Sequence, residues 1–378
     1  MGKRILLITT EYPPITGGIG TYCAQIAAAA IRNGHEVTVL APDYGRSCDD
    51  ASGDGKPTVI RYRGGSYSVR SFPKLLAQVW RHADPRRYDV IHAIDWPAGV
   101  VLGFINRFRR VPYRVTVHGT EILLMPDSRQ IKLLGRNFFS APDLILTNSR
   151  FTKSLLLDRF PSVDPNRAKV TLLGVEEYWF QPANNPAGVL AKYGIAADRA
   201  CILTVGRLDE RKGHRLVFRA LSALPKSVAE KAIYVVVGKG NEEYTAELHR
   251  LARECPVPTV FTGAVTNEDL RALYASAQLF CMPGEPHPRR VEGFGLVYLE
   301  AAAQGVAAIA SRLGAIPEVV VDGETGIVIE PMDHTALGTA VLQFIQDPAF
   351  AQRLGENARK WASGFSWHRC AQETYDEQ

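Results

Sequence analysis

The chain alternates, twice over, between short apolar runs and longer stretches of helix-forming residues, and this alternation limits the fold more than any other feature. In the first half the runs extend from Arg4 to Thr9, Glu36 to Leu40, Asp89 to Ala93, Arg114 to His118, Leu144 to Thr147 and Lys169 to Leu173. Apolar strands separated by helices suit a parallel sheet, because a parallel pair needs a crossover and the crossover helix covers the sheet. The polar, proline-bearing stretch from Tyr178 to Pro186 interrupts the pattern and reads as a linker. A second series begins at Cys201 and continues through Ile233 to Val237, Thr259 to Thr262, Leu279 to Met282, Ala307 to Ala310 and Gly326 to Ile329. Three final segments, Ala336 to Phe344, Phe350 to Trp361 and Trp367 to Tyr375, have helical spacing and no strand partners. The expected fold class is α/β with two Rossmann-like domains, residues 1–180 and 181–364.

At 378 residues and 46% hydrophobic composition the chain can bury a core in each domain. It has no run of about 18 apolar residues, and Met1-Gly2-Lys3-Arg4 leads straight into a strand without a signal-type segment, so a cytoplasmic location is expected. Six scattered cysteines, Cys23, Cys48, Cys201, Cys255, Cys281 and Cys370, form no CxxC pair and no zinc spacing, and read as reduced, packed thiols. The net charge of +5 is modest, with positive groups at Arg81, His82, Arg86 and Arg87 and at Arg107, Arg109, Arg110 and Arg114. Such groups fit a solvated helix end or an anionic lipid surface, the second of which implies peripheral membrane contact. No recognition-helix pattern accompanies them, so nucleic acid is not an expected partner.

Two segments carry the chemistry. In Glu292-Gly293-Phe294-Gly295-Leu296 the glycines let backbone approach a ligand, and Leu296 opens a helix whose free N–H groups favour an anion such as a diphosphate. Glu300 follows eight residues after Glu292 on that helix, and two carboxylates can accept hydrogen bonds from hydroxyls, one from a transferred sugar and one from a ribose. The strand from Ala200 to Gly206 ends at Arg207-Leu208-Asp209-Glu210-Arg211-Lys212-Gly213, where Arg207 offers a planar fork and Lys212 a mobile charge for phosphate oxygens. Read alone, the first segment is equally a pair of solvated glutamates flanking a glycine turn, and the second is more readily a solvated charged turn.

Gly17-Gly18-Ile19-Gly20 follows the first strand, and is either a phosphate-cradling loop or a plain strand-to-helix turn; its spacing matches neither dinucleotide nor P-loop fingerprints. His118 closes the strand through Val117, and Asp95 before Trp96-Pro97 is either a functional carboxylate or a helix cap. Backbone near Val265, after the strand from Thr259, suits a nucleobase edge.

Val205 to Gly213 and Glu292 to Ala301, in this order and spacing, resemble the signature segments of retaining glycosyltransferases of family 4. The resemblance runs from Thr10-Glu11-Tyr12-Pro13-Pro14-Ile15-Thr16-Gly17-Gly18-Ile19-Gly20 to Phe365-Ser366-Trp367. It implies a GT-B fold, two Rossmann-like domains facing each other across a cleft, with a C-terminal helix at 365–378 crossing back to the first domain. It also implies hexose transfer from a UDP- or GDP-linked donor to a hydroxyl acceptor, lipid-linked or carbohydrate, in glycolipid or surface polysaccharide synthesis, at the inner face of the cell membrane where the acceptor is lipid. The implied catalytic set is His118, Arg207, Lys212 and Glu292. The implied donor set is Gly17, Gly18, Arg207, Lys212, Val265, Glu292, Gly293, Phe294, Gly295, Leu296 and Glu300, with Asp95 toward the acceptor.

No cofactor and no metal are expected, since no DxD carboxylate cluster stands at a strand end and Asp49-Asp50 sits in a polar, glycine-rich loop. Two departures mark this chain: the density of Pro and Arg in Pro286-His287-Pro288-Arg289-Arg290-Val291, and Ala315 where many members have glycine. A nucleotide-sugar epimerase of the same fold and a non-catalytic nucleotide-sugar binding protein are the alternatives.

Overall fold

A computed structural model gives the fold and describes residues 2–14, 17–45, 55–64, 71–124 and 138–376. The chain divides into two units, Met1–Gly174 with Ser366–Gln378, and Val175–Phe365.

The first unit is built on a parallel sheet of β1 (Arg4–Ile8), β2 (Glu36–Asp43), β3 (Thr58–Arg63), β4 (Val90–Ala93), β5 (Arg114–Val117), β6 (Leu144–Thr147) and β7 (Ala168–Val170), in the order β3-β2-β1-β4-β5-β6-β7. β1 after Arg4, β4 and β6 are buried and, His92 and Thr147 apart, apolar, as strands covered by helices on both faces must be. β3 lies at the sheet edge, and its Thr-Val-Ile-Arg-Tyr-Arg sequence is mostly half-exposed.

The C-terminal helix Trp367–Tyr375 packs on the helix Gly18–Arg32, with Trp367 6.0 Å from Tyr22 and the buried Tyr375 hydroxyl 2.9 Å from His92 Nδ1. Its last carbonyls need partners, and three cations from the sheet strands or next to them supply them. Lys3 donates to Tyr375 O (2.5 Å), Lys169 to Glu373 O (2.7 Å), and Arg114 to Thr374 O. Positive charge also opposes the negative end of the helix dipole. The approach is close enough that a Cβ on Gly174 would stand 2.1 Å from the Trp367 nitrogen.

The second unit carries β8 (Ala200–Val205), β9 (Ala232–Val237), β10 (Thr259–Gly263), β11 (Leu279–Met282), β12 (Ala308–Ser311) and β13 (Gly326–Ile329), all parallel, in the order β10-β9-β8-β11-β12-β13. The stretch read as a linker belongs to this unit, which starts at Val175 rather than Gln181. Trp179, 4% exposed, stands edge-on to Tyr274 at 5.9 Å, and the Gln304 side chain donates to the carbonyls of Trp179 and Gln181. Among the described residues no helix is long and apolar enough to cross a membrane.

Candidate functional site

In a doubly wound sheet, loops on the two sides of the point where strand order reverses run apart and leave a crevice at the carboxyl ends of the strands. In the second unit that point lies between β8 and β11. The loops after β8, β11 and β12 meet there at distances that leave no room for side chains. Gly213 has φ +75°, and a Cβ on it would sit 1.8 Å from Pro283 O; on Gly314 (φ +57°) it would sit 2.3 Å from Glu292 O. Ala315, in contrast, has φ −86°, a conformation open to any residue, and donates its N–H to Glu292 O at 3.0 Å.

Lys212 and Glu292, 80 residues apart in the chain, are brought to 2.7 Å, Nζ to Oε2, and the Arg211 guanidinium stands 3.6 Å from the same oxygen. Burial alone would raise Glu292, but the charge and hydrogen bond of Lys212, then Arg211, outweigh it and hold the carboxyl below its ordinary value. Asp209 accepts from the Arg211 backbone N–H (3.1 Å) and from the Arg290 guanidinium (2.8 Å). This contact ties the Pro/Arg-rich loop to the end of β8. Arg207 is exposed and makes no ion pair among the described residues. Arg207, Arg211, Lys212 and Arg290 against Asp209 and Glu292 leave an excess of two positive charges, the complement of a doubly ionised diphosphate diester.

The helix Leu296–Ala303 starts beside this cluster after Gly295 at φ +92°. Gly293 and Phe294 are buried, with Phe294 edge-on to Phe365 at 6.0 Å; its ring belongs to the core, which leaves its backbone to serve a ligand. Leu296 is half-buried, as is Val265 in the turn between β10 and the helix Asn267–Ser276. Glu300 accepts from the Tyr274 hydroxyl at 3.2 Å. Burial pushes its carboxyl up to about 7; the Tyr274 bond pulls it down and nearby Glu176 pushes it up further.

In the first unit His118 follows β5. A carbonyl only accepts, so the 2.9 Å contact of Nε2 with Ile94 O places the proton on Nε2 and leaves Nδ1 as an acceptor in the neutral ring. The ring stands edge-on to Tyr22 at 5.2 Å, and the His118 N–H donates to the Glu121 carboxylate. Gly17 is the extended residue before the helix Gly18–Arg32, and a Cβ on Gly18 would meet nothing within 4 Å, so neither glycine is required by the backbone itself.

Asp95 takes the helix-cap alternative. It is 1% exposed, accepts from the Ala98 N–H at 3.0 Å, and its other oxygen takes the Thr9 hydroxyl, the Thr10 hydroxyl and the Thr10 N–H at 3.0, 2.9 and 2.5 Å. Both oxygens accept hydrogen bonds inside the protein and the side chain is buried, which fits the cap and leaves little surface for the acceptor contact expected of Asp95. Asp95→Ala is therefore expected to cost about 1–3 kcal/mol in urea unfolding while leaving KM for an acceptor unchanged; a raised KM at unaltered stability would restore the acceptor role.

Arg211, Asp209, Arg290 and Tyr274 join the expected residues. The Arg289-Arg290 density was the one sequence signal for Arg290, and nothing local marks Tyr274. Five cysteines are free thiols, four of them buried. Cys48 and Asp49-Asp50 lie outside the described residues.

Comparison with known proteins matches residues 16–177 to the family model described as Glycosyltransferase Family 4 and residues 189–361 to that described as Glycosyl transferases group 1. A GDP-mannose-dependent alpha-(1-6)-phosphatidylinositol monomannoside mannosyltransferase of Mycolicibacterium smegmatis is 31% identical over 95% of this chain and 93% of its own. A glycogen synthase of Mycobacterium tuberculosis is 28% identical over 98% of this chain and 93% of its own. Among solved structures, sucrose-phosphate synthase from Thermosynechococcus elongatus superposes with a TM-score of 0.82 at 24% identity, covering 99% of this chain and 98% of that one, which bears on the fold alone. Two parallel-sheet α/β units of this strand order and these neighbours define a GT-B fold. The signature residues and the near full-length relative agree: the chain belongs to glycosyltransferase family 4.

Proposed function

We propose that the protein moves a hexose from a nucleoside-diphosphate sugar to a hydroxyl acceptor, with retention at the anomeric carbon and without a metal ion. The observation that carries this reading is the cation cluster at the β8/β11 crevice, whose excess of two positive charges matches a diphosphate. Arg207 and Lys212, with the free N–H groups after Gly295, would hold the leaving diphosphate as its charge grows, a task that a divalent ion performs in other transferases. Glu292 would accept from sugar hydroxyls and Glu300 from the ribose. From the family resemblance we assign His118 a contact with the transferred sugar through Nδ1, and Gly17, Gly18 and the Val265 backbone contacts with the donor. Retention follows from a same-face displacement: the C1–O bond to the diphosphate breaks, the bond to the acceptor oxygen forms on the same side, and the departing phosphate oxygen takes the acceptor's proton.

The 31% identical relative is named for GDP-mannose and a phosphatidylinositol monomannoside, which supports GDP-mannose as the first donor to try and a lipid-linked polyol as acceptor. The test is thermal unfolding with UDP-, GDP- and ADP-hexoses, each with and without EDTA. One base is expected to stabilise the protein selectively, by about 2.7 kcal/mol at 100 times its Kd, with no loss in EDTA. A folded protein stabilised by none of them would end the reading; an inverted anomer in the product, read from its proton coupling, would end the retaining mechanism alone.

A further inference from the structure

At the carboxyl edge of the first sheet, β5, β6 and β7 run out into His118, Asn148 and Thr171. The strands pair Val117 with Thr147 and Thr147 with Val170, and the Thr171 N–H continues the ladder to Thr147 O at 2.9 Å. The three polar residues are therefore neighbours, each one step past the last paired residue of its strand. Ligands of open α/β sheets bind outside such strand ends.

Two of the three carry polar atoms that the fold does not satisfy. Asn148 is 4% exposed and Thr171 1%, and neither Asn148 Oδ1 nor Thr171 Oγ1 has a hydrogen-bond partner. Few buried amides are left in that state, because desolvation without a partner destabilises the fold. The polar groups around them are paired. Thr147 Oγ1 donates to Lys169 O at 3.3 Å, and Thr116 Oγ1 meets the Tyr22 hydroxyl at 3.0 Å and His92 Nε2 at 2.7 Å. Asn148 does not cap the helix Arg150–Arg159 either, because Ser149 accepts the Thr152 N–H at 3.0 Å and donates to Thr152 Oγ1 at 2.8 Å.

His118 adds a further acceptor to this edge, the Nδ1 left free when Nε2 donates to Ile94 O. Asn148 Oδ1 and His118 Nδ1 only accept, and the Thr171 hydroxyl can do either, so the complement is a group rich in donors. Hydroxyls on neighbouring ring carbons are such a group; an ionised phosphate, which only accepts, is not. We propose that Asn148 recognises the acceptor substrate, its amide taking hydroxyls of a ring polyol beside His118, in the role first expected of Asp95. The assignment rests on the transferase reading and gives its acceptor site a residue.

The test is Asn148→Leu, which nearly keeps the volume and removes the unpaired amide. Its melting temperature should equal or exceed that of the wild type, since no hydrogen bond of the fold is lost. Saturation-transfer NMR on the full chain, with UDP or GDP present, should show myo-inositol and methyl α-mannoside in contact with the wild type, and cyclohexanol, a ring with one hydroxyl, not. The variant should bind both polyols roughly ten- to a hundredfold more weakly, and KM for a polyol acceptor should rise by the same factor at an unchanged KM for the donor. Asn148→Ala supplies the same comparison should the leucine variant not fold. A lower melting temperature with unaltered polyol binding would make Asn148 a structural residue, bonded inside the fold through water, and would overturn the proposal. So would a wild type that binds neither polyol, or cyclohexanol as well as either. Stabilisation by nucleoside diphosphates should be the same in wild type and variant, so the transferase reading can survive the loss of this assignment.

Discussion

Lys212→Met is expected to lower kcat/KM by roughly a hundred- to a thousandfold and, at the same time, to destabilise the second unit by about 3 kcal/mol. The two losses have different causes. Catalysis loses a cation placed for the leaving diphosphate. Stability falls because Lys212 Nζ is the nearest partner of Glu292, at 2.7 Å, with both side chains largely buried at 13% and 23% exposure. Removing one member leaves a carboxylate short of its main counter-charge, with Arg211 still 3.6 Å away. The double variant Lys212→Met, Glu292→Gln separates the effects: it removes both charges, so it should regain most of the stability and none of the activity. Urea unfolding and initial rates on the three proteins make the comparison. A double variant as unstable as the single one would mean that the pair is not what Lys212 contributes to the fold.

The wild-type pair also has a pH signature. Glu292 is held below its ordinary value, so its contribution is present above the unfolded carboxyl pKa of about 4.3 and is lost as pH falls through the lower folded value. The single variant should lose that acid-side slope.

How far the sequence reveals this molecule depends on whether a signal is local. β6, β11 and β13 have the bounds that their apolar runs predict, because strands buried on both faces leave no ambiguity about which residues avoid water. β3 escapes the same reading, since an edge strand carrying Thr58, Arg61 and Arg63 has the composition of a loop. The stretch around Pro182 has linker composition, yet Trp179 draws it into the second unit through a contact with Tyr274 that no local pattern announces. At the site, Glu292, Lys212 and Glu300 can be picked out by residue type and spacing. What cannot be read is that Glu292 and Lys212 are held against each other, or that Arg290 reaches back 81 residues to Asp209. Such contacts arise only when the order β8-β11 places two distant strand ends side by side. Asp95 shows the converse: before Trp-Pro it fits a cap and an active-site carboxylate equally, and only the structure reveals that it caps the helix with four internal hydrogen bonds.

Glu300→Gln is expected to make the free protein more stable and the nucleotide complex weaker, two effects of opposite sign from one carboxyl. Burial pushes the Glu300 pKa up to about 7 from an ordinary 4.5. The folded state therefore keeps a proton that the unfolded chain releases, and stability falls as pH rises from about 4.5 to 7. Above that window the full cost applies, about 3 kcal/mol for a shift of this size. The neutral amide carries no such cost and keeps an acceptor for Tyr274. Urea unfolding should thus favour the variant by about 3 kcal/mol at pH 8 and by under about 1 kcal/mol at pH 5.

Binding runs the other way. Two ribose hydroxyls donating to the carboxylate favour its ionised form, so the complex lowers the pKa and binding releases a proton below about pH 7. Wild-type affinity for a nucleotide sugar should decline as pH drops from 8 to 5; the diphosphate diester of such a donor does not titrate in that range. The glutamine variant should bind roughly ten- to a hundredfold more weakly at pH 8 and show a flat profile. A 2′-deoxyribose donor should bind the wild type less well and the variant no worse than the parent donor. If the variant gains no stability at pH 8, burial does not raise the Glu300 pKa. If it gains stability but keeps the donor affinity and the pH slope, the carboxyl is buried there for a purpose other than the ribose.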